Sequence, residues 1–191
     1  MTANTRDIIL SLIGYGTENQ AEFGRTSLQK VAYFAGLKTG RNLGHRAFYY
    51  GPFSSIVEEE TEALVLSGLV DQTVTDLGFV NRKGFPGVRY SYSLTESGRE
   101  RLDAVEEREP ELTADLKKTV KSLYETIGSL DQGLLSIAAK TYFLTDEQGT
   151  ALSYEQIQEL AKQKDWHITR GQLEKVGEFL EELDLVTLSE D

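Results

Sequence analysis

Apolar residues recur with a helical period in both halves of the chain, and they alternate with polar residues in one stretch between the two halves. The helical period predicts three helices before that stretch, over residues 7–15, 26–40 and 54–70. The alternation places Val88, Tyr90, Tyr92 and Leu94 on one face and predicts a two-stranded hairpin over residues 70–94. Thr95 is expected to cap the helix that follows. This order of elements is typical of a winged helix-turn-helix.

Short polar residues mark the places where several helices begin. The spacing of a capping box, in which Ser or Thr precedes Glu or Gln by three positions, occurs at Ser55 with Glu58, Ser153 with Gln156 and Thr169 with Gln172. Each pair predicts the start of a helix. The second helix is expected to be capped by Thr26 or Ser27.

The C-terminal half repeats the order of helices without room for a full wing. One helix is predicted over residues 134–144, and the last helix carries Leu173, Val176, Leu180 and Leu183 on one face. A charge-rich stretch that ends near Pro110 indicates a domain boundary. We therefore predict a mainly α fold with a small β-hairpin wing, organised as tandem winged helix-turn-helix-like modules over residues 1–110 and 111–191.

The amino-acid composition limits the cellular compartment and the kinds of site that we expect for this chain. The chain has 191 residues and no cysteine, which excludes disulfides and thiolate zinc sites. No apolar run is long enough to cross a bilayer, and the N-terminus lacks a basic stretch followed by an apolar one. The sequence thus predicts a soluble cytoplasmic protein without a membrane partner.

Charge is uneven along the chain and bears on nucleic-acid binding. The net charge is −11, and residues 103–191 carry 20 acidic against 9 basic residues, whereas residues 1–102 are balanced. The helix expected to enter a DNA groove carries Glu58, Glu59, Glu60 and Glu62, which would face phosphates of the same sign. DNA is therefore disfavoured. The alternative is a DNA-binding transcriptional regulator, in which Arg82, Lys83 and Arg89 of the wing contact phosphates and two copies pair as a homodimer.

No constellation of residues predicts catalysis. His45 and His167 lie in different modules, and no His-Glu-x-x-His pair is present. Ser54 and Ser55 lack the glycine-flanked elbow of a nucleophile, and no phosphate-binding loop is found. We therefore expect no enzymatic activity, no cofactor and no metal.

A protein-binding surface is predicted in the acid-free stretch of residues 23–57. It combines cations and polar groups with exposed aromatic anchors, at Arg25, Gln29, Lys30, Arg46, Tyr49 and Tyr50. Gln29 and Lys30 are expected to reach outward beside an apolar helix face. Two alternatives stay open at this point, since the aromatic residues could pack in the core and the polar ones could be ordinary surface residues.

Two segments of the N-terminal half resemble the Panacea domain family. They are Thr26-Ser27-Leu28-Gln29-Lys30-Val31-Ala32-Tyr33-Phe34 and Tyr50-Gly51-Pro52-Phe53-Ser54, followed by an acidic helix that ends Gly68-Leu69-Val70. The likeness covers roughly residues 7–102, and Phe48 and Tyr49 stand where the commoner pattern of the family has Trp. The resemblance implies a helical domain with a small wing that has no enzymatic activity. It also implies an antitoxin-like regulator whose protein partner is a toxin or a similar target.

Overall fold

The computed structural model describes residues 4–20, 22–80, 84, 86–127, 132–183 and 185. Within these residues the chain is mainly helical with one two-stranded antiparallel sheet, as the sequence predicts. The elements in chain order are α1 (Thr5–Asn19), α2 (Arg25–Lys38), α3 (Ser55–Leu66), β1 (Val70–Val80), β2 (Pro86–Leu94), α4 (Glu96–Arg108), α5 (Pro110–Ile127), α6 (Gln132–Gln148), α7 (Tyr154–Gln163) and α8 (Arg170–Glu182).

Most of the predicted helix starts are confirmed. Thr95 accepts a hydrogen bond from the backbone N–H of Gly98, and the capping boxes that begin at Ser153 and Thr169 are both complete. These caps are readable from sequence because each is made within four residues.

Two predicted caps are wrong. Helix α2 begins after Gly24 without a side-chain cap, so neither Thr26 nor Ser27 serves as one. Helix α3 is capped by Ser54, whose hydroxyl accepts from the N–H of Val57, and Ser55 is the first helical residue. Ser54 is buried and held in place by groups outside α3, which decides between the two adjacent serines.

The hairpin spans residues 70–94, as predicted. Strands β1 and β2 pair in register from Val70 opposite Leu94 to Asp76 opposite Val88, and an irregularity follows before Val80 pairs with Pro86. On the edge of β2 that faces away from β1, the backbone N–H of Tyr92 donates to the carbonyl of Phe23 at 3.0 Å. The predicted nucleic-acid contacts Arg82 and Lys83 lie outside the described residues.

One hydrophobic core runs through the described parts of both halves. Helix α1 lies against α3, α4, α5 and β2, while α2 packs on α5 and α6. Phe34 of α2 and Phe179 of α8 meet edge to face with their ring centroids 5.7 Å apart. The predicted apolar face of α8 is buried at Leu173, Val176, Leu180 and Leu183, which confirms it. The proposed boundary at residue 110 falls at the break between α4 and α5, and the division into two modules stays a prediction.

A buried carboxylate ties α1 to α4. Asp7 is 3% exposed, and its Oδ1 and Oδ2 accept from the guanidinium groups of Arg101 at 2.7 Å and Arg108 at 2.6 Å. Such pairing is what allows a charge to be buried. None of the helices in the described residues is both long and apolar enough to cross a membrane.

Candidate functional site

Residues 46–53, the aromatic loop, form a closed turn between α2 and α3. Arg46 and Phe53 exchange two backbone hydrogen bonds of 2.9 Å at the neck of the loop, and the N–H of Gly51 donates to the carbonyl of Phe48 at 3.1 Å. Gly51 has a backbone φ of +104°, a value that residues other than glycine rarely adopt. At the tip of the loop Phe48, Tyr49 and Tyr50 are 51%, 62% and 72% exposed.

Buried polar side chains of α2 hold this loop in place. The amide of Gln29 donates to the carbonyl of Ser54 at 3.0 Å and accepts from its N–H at 2.9 Å. The ammonium of Lys30 donates to the carbonyl of Pro52 at 2.6 Å. Gln29 and Lys30 are 3% and 2% exposed, so the expectation that they reach outward is wrong. Their polar ends satisfy the backbone of the loop, which explains why two polar residues lie on a buried face.

Burial changes the ionisation of two groups behind the loop. It lowers the pKa of Lys30 to about 7, and the nearby ammonium of Lys140 adds to the effect. Burial also lowers the pKa of His45 to about 4, while its Nε2 lies 3.1 Å from the carbonyl of Gln29. Since a carbonyl oxygen can only accept, Nε2 carries the proton in this contact. His45 is therefore neutral near neutral pH.

The C-terminal half supports the other side of the loop. The indole N–H of Trp166 donates to the carbonyl of Phe48 at 2.7 Å, and Lys140 lies over the Trp166 ring at 5.6 Å. A Cβ built on Gly51 would lie 3.1 Å from Cγ of Lys140. Sequence reasoning missed Trp166. The signal in the sequence is that Trp166 is the single tryptophan of the chain, and the structure buries it to 1% exposure.

A cleft of about 550 Å³ lies between the aromatic loop, the first turn of α2 and the hairpin. Its walls are largely apolar and aromatic, with a few charged groups, and are formed by Arg25, Thr26, Gln29, Lys30, Phe48, Tyr50, Gly51, Phe53, Glu58, Leu77, Val88, Arg89 and Tyr90. Four of the six residues predicted to bind a partner therefore line one cleft. Arg46 lies instead in a separate groove beside Ile56, and Tyr49 stands outside the cleft wall.

The charged groups around the cleft are paired. Arg25 forms an ion pair with Glu58 and lies over the ring of Tyr90 at 5.4 Å. Arg89 contacts Glu22 at 3.0 Å, and both of these side chains are about half exposed or more. Exposed pairs of this kind contribute at most about 1 kcal/mol, so Arg89 can exchange its partner readily.

The cleft and the aromatic loop offer a surface for binding. Among the described residues, no group of three His, Asp or Glu side chains could hold a metal ion. No protein-family model matches the chain, and no curated protein matches its sequence. The likeness to the Panacea domain therefore stays a prediction.

Proposed function

We propose that this chain is a non-enzymatic interaction protein that binds a protein partner through the aromatic loop and the adjoining cleft. One observation carries the proposal. Three consecutive aromatic side chains are exposed at the tip of a loop whose backbone is fixed by buried donors from α2 and from Trp166. Aromatic residues presented on a rigid backbone lose little conformational entropy on binding, and they often dominate the energy of an interface.

The Panacea resemblance supports an antitoxin-like role for the same surface. In this proposal α2, α3 and the hairpin form a winged helix-turn-helix-like unit, and its partner is a protein such as a toxin. The Leu-Gln-Lys and Tyr-Gly-Pro segments of the resemblance supply Gln29, Lys30 and Pro52, which meet at the base of the loop. These segments therefore serve to shape the loop that presents Tyr49 and Tyr50.

The partner is to be captured with the full-length chain by affinity purification with chemical crosslinking, and its dissociation constant measured for each variant. Tyr49→Ala and Tyr50→Ala should each weaken binding by roughly 1 kcal/mol or more, which is a factor of about five in Kd. Leu66→Ala is the control, since Leu66 is a large apolar side chain, 88% exposed on α3. If both tyrosine variants bind as tightly as the control, the aromatic loop is not the interface.

DNA binding is the alternative function, and it is less well supported. Arg89 is a basic residue on the described part of the hairpin, but Glu59 and Glu62 are exposed on α3 and the chain carries a net charge of −11. These carboxylates oppose the counterion release that drives binding to duplex DNA. We expect weak, nonspecific binding of duplex DNA or none at physiological salt in a mobility-shift titration. Nanomolar, sequence-selective binding would refute this and favour the regulator.

A further inference from the structure

Strand β1 has one edge that pairs with no other strand in the described part of the chain. Its first residue, Val70, is buried, whereas residues 71–80 are all exposed. A two-stranded hairpin standing in water is only marginally stable, and further strands or a packed face are needed to hold it. The far part of this hairpin therefore has less support than its length requires.

The hydrogen-bond pattern shows which backbone groups of β1 face outward. In an antiparallel ladder, pairs that exchange hydrogen bonds alternate with pairs that direct their N–H and C=O groups away from each other. Tyr92 lies opposite Gln72 and donates its N–H to the carbonyl of Phe23, so this pair is of the second kind. Gln72, Val74 and Asp76 therefore direct their backbone groups away from β2. Within the described residues, none of the three forms a backbone hydrogen bond on that side.

This edge lacks the features that usually prevent strands from pairing. Edge strands are commonly blocked by proline, by lysine or by being very short. Strand β1 has 11 residues and contains no proline, lysine or arginine. Its regular pairing with β2 runs to Asp76, and Gly78, with a φ of +71°, departs from the extended conformation. Residues 71–77 thus form an exposed, extended edge with Val74 at its centre.

The edge is complementary to itself. When two copies of β1 lie antiparallel about a twofold axis at Val74, the two Val74 side chains meet and Thr73 lies opposite Thr75. Threonine pairs of this kind stabilise neighbouring strands. Gln72 lies opposite Asp76, so its amide can donate to the carboxylate. No aspartate lies opposite an aspartate in this register, and the two edges bring no like charges face to face.

The same register extends the hairpin into a four-stranded sheet. Tyr90 lies opposite Val74 within the hairpin, so a row of Tyr90, Val74 and the same two residues of the second copy crosses the sheet on one face. Aromatic and β-branched residues form favourable cross-strand pairs. Because Tyr90 also lines the cleft, the clefts of both copies open on the same face of the sheet.

We propose that two copies of this chain associate through the outer edge of β1, with the twofold axis at Val74, into a four-stranded antiparallel sheet. An interface that uses the same patch on both subunits closes on itself, so the product is a dimer and not a fibre. The dimer does not depend on the identity of any other partner. It presents two aromatic loops and two clefts, so a partner with two binding segments gains affinity from engaging both.

The first test measures the mass of the full-length chain by sedimentation equilibrium over a range of concentrations. Physiological salt is used, because it screens the repulsion between copies that each carry a net charge of −11. We expect a reversible equilibrium between monomer and dimer. The mass of a single chain at every concentration up to millimolar, or growth beyond a dimer, would overturn the inference.

The second test locates the axis by disulfide cross-linking, which is clean because the chain contains no cysteine. Val74→Cys should cross-link to itself with a mild oxidant, since opposed residues have Cα atoms about 5.5 Å apart, within the range of a disulfide. Thr73→Cys and Thr75→Cys should each cross-link slowly alone and quickly when mixed. Failure of Val74→Cys to cross-link, or no gain on mixing the threonine variants, would contradict this register.

The third test places charges on the axis. Val74→Asp and Val74→Lys each bring like charges together and should weaken the dimer about tenfold or more. An equimolar mixture of the two should restore a dimer, which misfolded variants would not do. If each variant dimerises as tightly as wild type, or if the mixture stays monomeric, the edge of β1 is not the interface.

Amide hydrogen exchange measured by NMR separates a second copy from another occupant. The amides of Gln72 and Val74 should slow about tenfold as the dimer forms, since they gain an acceptor. The amides of Thr73 and Thr75, which already face β2, should change little. Protection of Gln72 and Val74 that appears only when a different protein is added to a monomeric chain would assign the edge to that protein and refute the dimer.

Discussion

Lys30 should make the free energy of unfolding depend on pH above about pH 7, where most side chains do not titrate. Its ammonium is buried under the aromatic loop, and burial lowers its pKa to about 7, against about 10.4 in an unfolded chain. Below pH 7 the group is charged in both states, and burying it costs stability. Between the two pKa values the folded chain has released the proton while the unfolded chain keeps it, so the free energy of unfolding rises with pH.

The size of this effect follows from the two pKa values. From about pH 7 to about pH 9 the free energy of unfolding should rise by about 2 kcal/mol through Lys30 alone. In Lys30→Met this rise should disappear, because methionine has similar length and no proton to release. The variant also leaves the carbonyl of Pro52 without its donor, and the lost hydrogen bond costs about 1 to 3 kcal/mol.

Urea unfolding curves at several pH values measure both quantities, and Lys118→Met is the control. Lys118 is exposed on α5, so its replacement changes the net charge equally without touching the loop. The slope of stability against pH should differ between wild type and Lys30→Met and agree between wild type and the control. Parallel slopes for wild type and Lys30→Met would refute the reasoning, as would an NMR titration that finds Lys30 protonated at pH 9.

Two further substitutions test the packing. Leu180→Ala should lower the free energy of unfolding by about 2 to 5 kcal/mol in denaturant titrations, because Leu180 is fully buried and its removal leaves a cavity; a loss under about 1 kcal/mol would mean that this face of α8 is not packed. Asp7→Asn should lower it by about 1 to 3 kcal/mol, since the partly exposed arginines at 101 and 108 would lose their charged partner, and a change within about 0.5 kcal/mol would show that the two ion pairs carry little energy.

Local signals made part of the fold predictable. The hairpin is visible in the alternation that ends at Leu94, and the caps at Thr95 and Thr169 need only a few neighbouring residues. Which of Ser54 and Ser55 caps α3 is not decided by neighbouring residues. The backbone N–H of Ser54 bonds to Gln29, 25 positions earlier, and no pattern near α3 contains that information.

The position of the candidate site along the chain could be predicted from the sequence, but the roles of several of its residues could not. The acid-free stretch with its aromatic end did indicate the loop, and Tyr49 and Tyr50 are exposed. The roles of Gln29 and Lys30 could not be predicted, because a polar residue on an apolar helix face can be buried only if a distant partner satisfies it. The hydrogen bond from Trp166 to Phe48 spans 118 positions, and no periodic pattern in the sequence indicates it.

The burial of α1 sets an order of events during synthesis. Its residues from Asp7 to Gly16 are all buried, yet the elements that cover them come later, and Arg101 and Arg108 follow Asp7 by 94 and 101 positions. At a translation rate of about 5 to 20 residues per second, Asp7 is synthesised about 5 to 20 s before Arg108, its last charged partner. During that time the nascent chain lacks α4 and α5, which cover part of α1 in the finished fold. A folding factor that shields α1 should raise the yield of native protein more than one that acts on the finished chain.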